Sequence, residues 1–266
     1  MVSIPRVTAR TFIRPMSHAR TRPGLFRCQS QSGALTEYVV KFREQLGRRI
    51  LCEAFAALVG QCLGLPIPPI AVVSLSAPAA AVIPADAFQE RPEAGLHFGS
   101  LFMTPGFTEV MPGQPLPANV WETMADIFAF DMLIQNPDRT HRAWGGKANL
   151  LFDGERFAVI DHELAFSFLG VIGALPQPPW ALRELPFVSD HLFYDQLHER
   201  GGADLPVYDR FMDRLSALSD TFLSDMEASL PADWLNPSTS SKIAVHLKTV
   251  RDNPDRFKRG LLEALA

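Results

Sequence analysis

The chain has 266 residues, 47% hydrophobic and 20% charged, with a formal net charge of −4 and a pI near 6.0. That balance excludes a fibrous or disordered chain, and it excludes the global basic field on which nucleic-acid binding depends. The length suits one large domain or two lobes that share a cleft.

The three cysteines, Cys28, Cys52 and Cys62, show no paired spacing and no neighbouring histidine cluster, so a disulfide framework and a zinc site are not expected and a reducing cytoplasm is. No apolar run reaches the roughly 20 residues of a membrane-spanning helix, and no membrane partner is expected. Before Glu37 there are six arginines (Arg6, Arg10, Arg14, Arg20, Arg22, Arg27) and no acid. Organelle transit peptides share that bias. Residues 7–13 nevertheless alternate as a β-strand, and a basic first hairpin facing an anionic ligand explains the arginines equally well.

Residues 7–13, 25–29 and 35–42 read as three strands of an antiparallel meander. A helix is expected over 49–63, where Ile50, Leu51, Ala54, Phe55, Leu58, Val59 and Cys62 recur at helical spacing before Gly64 and Pro66 stop it. Strands at 71–76 and 97–103 should complete the sheet, and Thr104-Pro105-Gly106 breaks the pattern. The composition then shifts, which places a lobe boundary between residues 1–106, rich in β-structure, and 107–266, mainly helical. In the second lobe an apolar helix spans 120–135, and an irregular polar stretch covers 136–147. Two short strands, 149–152 and 157–160, are joined at Asp153-Gly154. Helices follow at 187–200, 206–229 and 240–265, with Pro254 interrupting the last.

Chemistry concentrates around the short hairpin. Asp138 lies just upstream, Asn149 at one end and Asp161 at the other, and an antiparallel pair brings its ends together. Two carboxylates and an amide so placed suit phosphoryl transfer, which needs an acid near the attacking hydroxyl and oxygen ligands for Mg²⁺. Taken singly, each is equally a loop acid, a turn residue or a cap. Asp161 stands out because it follows the apolar run 157–160, where an unpaired charge is costly and a cation would compensate. Lys41 ends an alternating strand on the face opposite Val40, and Glu53 on the following helix could pair with it. Glu53 projects on the side of Ala56, Ala57 and Gly60, which faces either the cleft or water. No glycine-rich phosphate loop exists, whereas the 14–24 loop offers Ser17, His18, Arg20 and Arg22 as a charged cover.

These residues resemble the HipA-like kinases, and within them the small bacterial members that lack the extra N-terminal domain of the HipA toxin. The resemblance runs from Val7 to Phe168. It is carried in order by Thr8-Ala9-Arg10-Thr11-Phe12, Pro23-Gly24-Leu25-Phe26, Glu37-Tyr38-Val39-Val40-Lys41-Phe42, Cys52-Glu53, Leu63-Gly64-Leu65-Pro66, His97-Phe98-Gly99-Ser100, Asn136-Pro137-Asp138-Arg139-Thr140, Asn149-Leu150-Leu151 and Ile160-Asp161-His162-Glu163. It implies an α+β, two-lobed protein-kinase-like fold, with an N-terminal antiparallel sheet and one helix forming a nucleotide-binding lobe, and a helical catalytic lobe. It further implies Asp138 as catalytic base, Asn149 and Asp161 as Mg²⁺ ligands, Lys41 on the ATP phosphates paired with Glu53, and Phe102, Met103 and Thr104 at the adenine.

Two departures stand out: the run from Arg142 to Asn149 is longer than the family pattern, and Glu163 occupies the place of a protein kinase's Asp-Phe-Gly glycine. The implied activity is ATP- and Mg-dependent phosphorylation of a Ser or Thr hydroxyl on a protein. A small-molecule acceptor, or a pseudokinase that binds nucleotide or a partner without turnover, are the competing readings.

Overall fold

Apolar alternation along five strands builds the first half of the protein. A computed structural model describes residues 3–16, 22–88, 90–103, 106–111, 113–141, 147–170, 177–200 and 205–266. Strands β1 (Arg6–Pro15), β2 (Gly24–Ser30), β3 (Leu35–Lys41), β4 (Ile70–Leu75) and β5 (Gly95–Leu101) close into a barrel in the order β1-β2-β3-β5-β4. The expected all-antiparallel sheet is corrected at one seam, where Arg6–Thr8 of β1 runs parallel to Val72–Ser74 of β4. The cause lies in β1, whose register against β2 shifts between Ala9 and Thr11 and again between Phe12 and Arg14. Such bulges bend and twist a strand, and they curl β1 until its beginning meets β4.

The single helix expected in this half is also corrected. Beside α2 (Arg49–Cys62) there are two short helices, α1 (Arg43–Leu46) and α3 (Ala77–Ala81), the latter capped by the Ser76 hydroxyl, which accepts from Ala79 N.

Val7, Ala9, Phe26, Cys28, Tyr38, Val40, Ala71 and Val73 point into the barrel and form one apolar cluster. The opposite face of β4 and β5, with Ile70, Val72 and Phe98, joins a larger cluster that also contains α2 and the helical half. Eleven consecutive residues of α2, Ile50 to Gly60, are buried. Its small-residue side meets the cleft at Glu53 and is packed on the helical half further along: a Cβ added at Gly60 would lie 2.9 Å from Phe130 of α4 (Trp121–Leu133). The close approach of these two helices requires the missing side chain.

Beyond α4, β6 (Thr108–Glu109) adds to β7 (Leu150–Phe152) and β8 (Phe157–Val159), so the expected hairpin is the larger part of a three-stranded sheet. The long helices expected after residue 187 are shorter pieces: α5 (Tyr194–Glu199), α6 (Asp209–Ser216), α7 (Asp220–Ser229), α8 (Pro237–Arg251) and α9 (Pro254–Leu265). Ser219 causes one break, its hydroxyl capping α7 at Phe222 N. Pro254 causes another by opening α9, where a missing N–H costs nothing. Gly260 of α9 packs on Trp180, whose carbonyl oxygen would lie 2.2 Å from an added Cβ. Backbone cannot yield as a side-chain tip can, so Gly260→Ala should lower stability by about 1–3 kcal/mol, read as a smaller urea midpoint at unchanged slope.

Candidate functional site

Strand parity delivers Lys41 to the site. Val40 points into the barrel, so Lys41 points out of it, opposite Phe98 of β5 and beneath α2. Only 7% of Lys41 is exposed. Its Nζ donates to Glu53 Oε2 at 2.8 Å and to Asp161 Oδ1 at 2.6 Å, and Glu163 Oε2 lies 3.7 Å away. Burial opposes charge on Lys41, but Asp161, Glu53 and Glu163 outweigh it and hold the ammonium above its ordinary value. Burial pushes Glu53 up against the pull of Lys41, while at Asp161 the same burial is overcome by Lys41 and the carboxyl ends below its ordinary value. Of the two carboxylates that accept from Lys41, Asp161 is thus held below its ordinary value and Glu53 above it. Glu53 also accepts from His162 N at 2.9 Å, which ties α2 to the segment after β8.

The hairpin supplies the rest. Ile160 N donates to Asn149 O at 3.1 Å, joining its two ends. Asn149 and Asp161 both adopt left-handed backbone, with φ of 47° and 61°. Asparagine and aspartate tolerate that region better than other side chains, although at some cost, and strain of this kind clusters at functional positions. Asn149 Nδ2 donates to Asp138 Oδ2 at 2.8 Å, so the long run after Arg142 still returns the amide to the acid. With its nitrogen engaged, the Asn149 carbonyl oxygen is left as an acceptor. Burial raises Asp138 above its ordinary value, the Asn149 hydrogen bond pulls it down, and the charge of Asp161 adds to the rise. A raised carboxyl suits a proton acceptor.

A cleft of about 430 Å³ lies between barrel and hairpin. Val39, Phe98, Met103, Phe107, Leu151 and Ile160 give it apolar walls, and Lys41, Glu53, Lys147, Asn149 and Asp161 line its polar part. Phe102 and Met103, expected at the adenine, line this cleft. Asp138 does not line this cavity and reaches it through Asn149. Ser17, Arg20 and Thr104 lie outside the described residues, although Arg14, Met16 and Pro23, which belong to the expected cover loop, line the cleft.

Among the described residues no group of three or more His, Cys, Asp or Glu could hold a metal ion by itself. The donor pair at the hairpin is nonetheless all oxygen, the Asp161 carboxylate and the Asn149 amide, which fits a hard cation sharing its remaining positions with phosphate oxygens and water.

Sequence reasoning missed what lies behind the hairpin. Arg139, 0% exposed, pairs with the equally buried Asp131 at 2.6 Å, and His191 Nε2 reaches the same carboxylate oxygen at 3.0 Å. Fully buried charges are rare unless paired, but their pairing has no local pattern to betray it; the only signal was Asp131 inside the otherwise apolar run 127–133 of α4. Lys147 was missed as well, and its charge acts on both Asp138 and Asp161.

His162 is buried beside Arg139, and burial first, then that guanidinium, pushes its ring down to about 3 from an ordinary 6.5. The unfolded chain takes up this proton below about 6.5 and the folded chain refuses it until about 3. Stability is therefore lost as pH falls through that window, by about 1.4 kcal/mol per unit for this one group. Urea midpoints should fall from pH 7 to pH 5, and His162→Gln should flatten the fall by about 2 kcal/mol; an unchanged slope would contradict the assignment.

A family model described as HipA-like kinase matches residues 9–260. Among solved structures, the Helicobacter pylori proinflammatory kinase CtkA is similar at a TM-score of 0.53 and 14% identity, covering 89% of this chain and 94% of its own. That identity supports likeness of fold alone. No curated protein matches the chain.

Proposed function

Because the chain belongs to the HipA-like kinase family, we propose that it transfers the γ-phosphoryl group of Mg-ATP to a hydroxyl, most naturally a Ser or Thr of a protein. The observation that carries this reading is the meeting of Lys41 from the barrel with Asp161 from the hairpin, 120 residues apart in sequence, at the polar end of a nucleotide-sized cleft. On this reading residues 1–106 act as a nucleotide-binding lobe and 107–266 as a catalytic lobe. Adenine lies against the apolar walls, with the backbone near Phe102 and Met103 at its edge.

Lys41, oriented by Glu53, contacts the phosphates, and Asn149 and Asp161 hold magnesium. The metal, when bound, neutralises charge on the phosphate oxygens. Asp138 accepts the proton of the attacking hydroxyl as the oxygen–phosphorus bond to the acceptor forms and the bond to the leaving ADP breaks. Asn149 keeps Asp138 oriented by its amide hydrogen bond, and Lys147 adds positive charge over the same space.

Incubation with γ-labelled Mg-ATP and either cell proteins or pooled metabolites tests the acceptor class: label is expected on protein serine or threonine. Label only on metabolites moves the assignment to a small-molecule kinase. Nucleotide bound with no transfer to any acceptor makes the cleft a recognition site.

A further inference from the structure

Behind the candidate metal ligands, and not in contact with the cleft, one guanidinium touches both ends of the hairpin. Arg139 Nη1 donates to Ala148 O at 3.3 Å, to Asn149 O, and to Ile160 O at 3.5 Å. These carbonyls belong to the peptide units before Asn149, after Asn149 and before Asp161. Both residues hold left-handed backbone, and the peptide planes that flank them decide where their side chains point.

The other side of the guanidinium is itself anchored. Nε donates to Asp131 Oδ2 at 2.6 Å and Nη2 to Asp131 Oδ1 at 3.5 Å. Asp131 accepts further from Asn136 Nδ2 and from His191 Nε2, each at 3.0 Å. His191 Nδ1 accepts from Phe193 N at 3.2 Å, which leaves the ring proton on Nε2 and fixes a neutral tautomer. The segment carrying His191 is bound to the same loop, since Leu192 N donates to Arg139 O at 3.1 Å and His141 N to Asp190 O at 3.0 Å. A purely structural arginine would need only its carboxylate. Here Nη1 is spent on the backbone of the two ligand positions, while Nη2 also faces His162 Nε2 at 3.4 Å.

We propose that Arg139, anchored by Asp131 and His191, is the positioning residue that sets Asn149 and Asp161 in register to hold the metal. This rests on the reading of the cleft as a Mg-ATP site. A lysine at 139 keeps the charge but presents a single point donor, so it cannot hold Asp131 and three carbonyls at once. Outer partners of this kind typically change metal affinity about 10- to 100-fold.

The test compares wild type, Arg139→Lys and the isosteric Asp131→Asn. A fluorescent ATP analogue in EDTA reads metal-free nucleotide binding, and electron paramagnetic resonance of Mn²⁺ reads metal binding to the nucleotide complex. Arg139→Lys is expected to leave metal-free nucleotide affinity within about twofold and to weaken Mn²⁺ at least about tenfold. Asp131→Asn should shift Mn²⁺ in the same direction and is read by the same criterion if the lysine variant does not fold. Wild-type Mn²⁺ affinity in a folded variant overturns the inference, as does an equal loss of both affinities, and so does failure of both variants to fold, which would make the trio structural only. If the wild-type nucleotide complex itself binds no Mn²⁺, the functional reading falls first and takes this inference with it.

Discussion

Asp138→Asn is expected to reduce phosphoryl transfer by about 10²- to 10⁴-fold while nucleotide affinity stays within a few-fold. The substitution keeps shape and a hydrogen-bonding partner for Asn149 Nδ2, now through an amide oxygen, so the 2.8 Å contact can persist. What it removes is the ability to accept a proton. Asp138 lies outside the cavity lining, so its side chain is not among those that hold the nucleotide. Rates of γ-phosphate transfer at saturating Mg-ATP, set beside nucleotide titrations, check this. A matching loss of nucleotide affinity would assign Asp138 to binding instead of proton transfer.

Lys41→Met should be the most damaging single change to both stability and nucleotide binding. It would remove the cation that Glu53, Asp161 and Glu163 share and leave them the weaker influence of Lys147 on Asp161 and of Arg49, whose Nη1 is 3.7 Å from Glu163 Oε1 and whose side chain is 41% exposed. Breaking a buried ion pair from one side typically costs about 3–5 kcal/mol, because a buried charge is left uncompensated. The sign with pH follows: carboxylates raise Lys41 above its ordinary 10.5, so its stabilising effect is complete below that value and lost only as pH rises through the folded one. A second change, Glu53→Gln in the Lys41→Met background, removes one of the stranded charges and should recover part of the lost stability without recovering nucleotide binding. Urea unfolding and nucleotide titration of the single and double variants separate these effects; recovery of binding in the double variant would show that Lys41 never touched the nucleotide.

The barrel shows why part of the architecture was readable. Alternation along 7–13, 25–29 and 35–42 identified the strands to within a few residues of β1, β2 and β3, because each strand buries one face locally. Closure was not readable. The bulges in β1 have no residue signature comparable to a glycine turn, and the parallel contact with β4 depends on how far they bend the strand. Likewise, a period of two places Lys41 opposite Val40 without saying whether that face meets water or a helix.

The site divides along the same line. Asp138, Asn149 and Asp161 were legible because a short hairpin is a local structure: its ends must meet, and so the residues at its ends are neighbours. The burial of Glu53, the approach of Glu163 to Lys41, and the trio of Asp131, Arg139 and His191 were decided only by tertiary packing. Buried charges are satisfied by whatever distant groups the fold brings within about 3 Å, and sequence order sets no constraint on which groups those are. Sequence alone therefore determined the strands, the hairpin and the chemical types at its ends. The three-dimensional structure decided which cation faces which anions, because that pairing is a property of the packed core and not of any one segment.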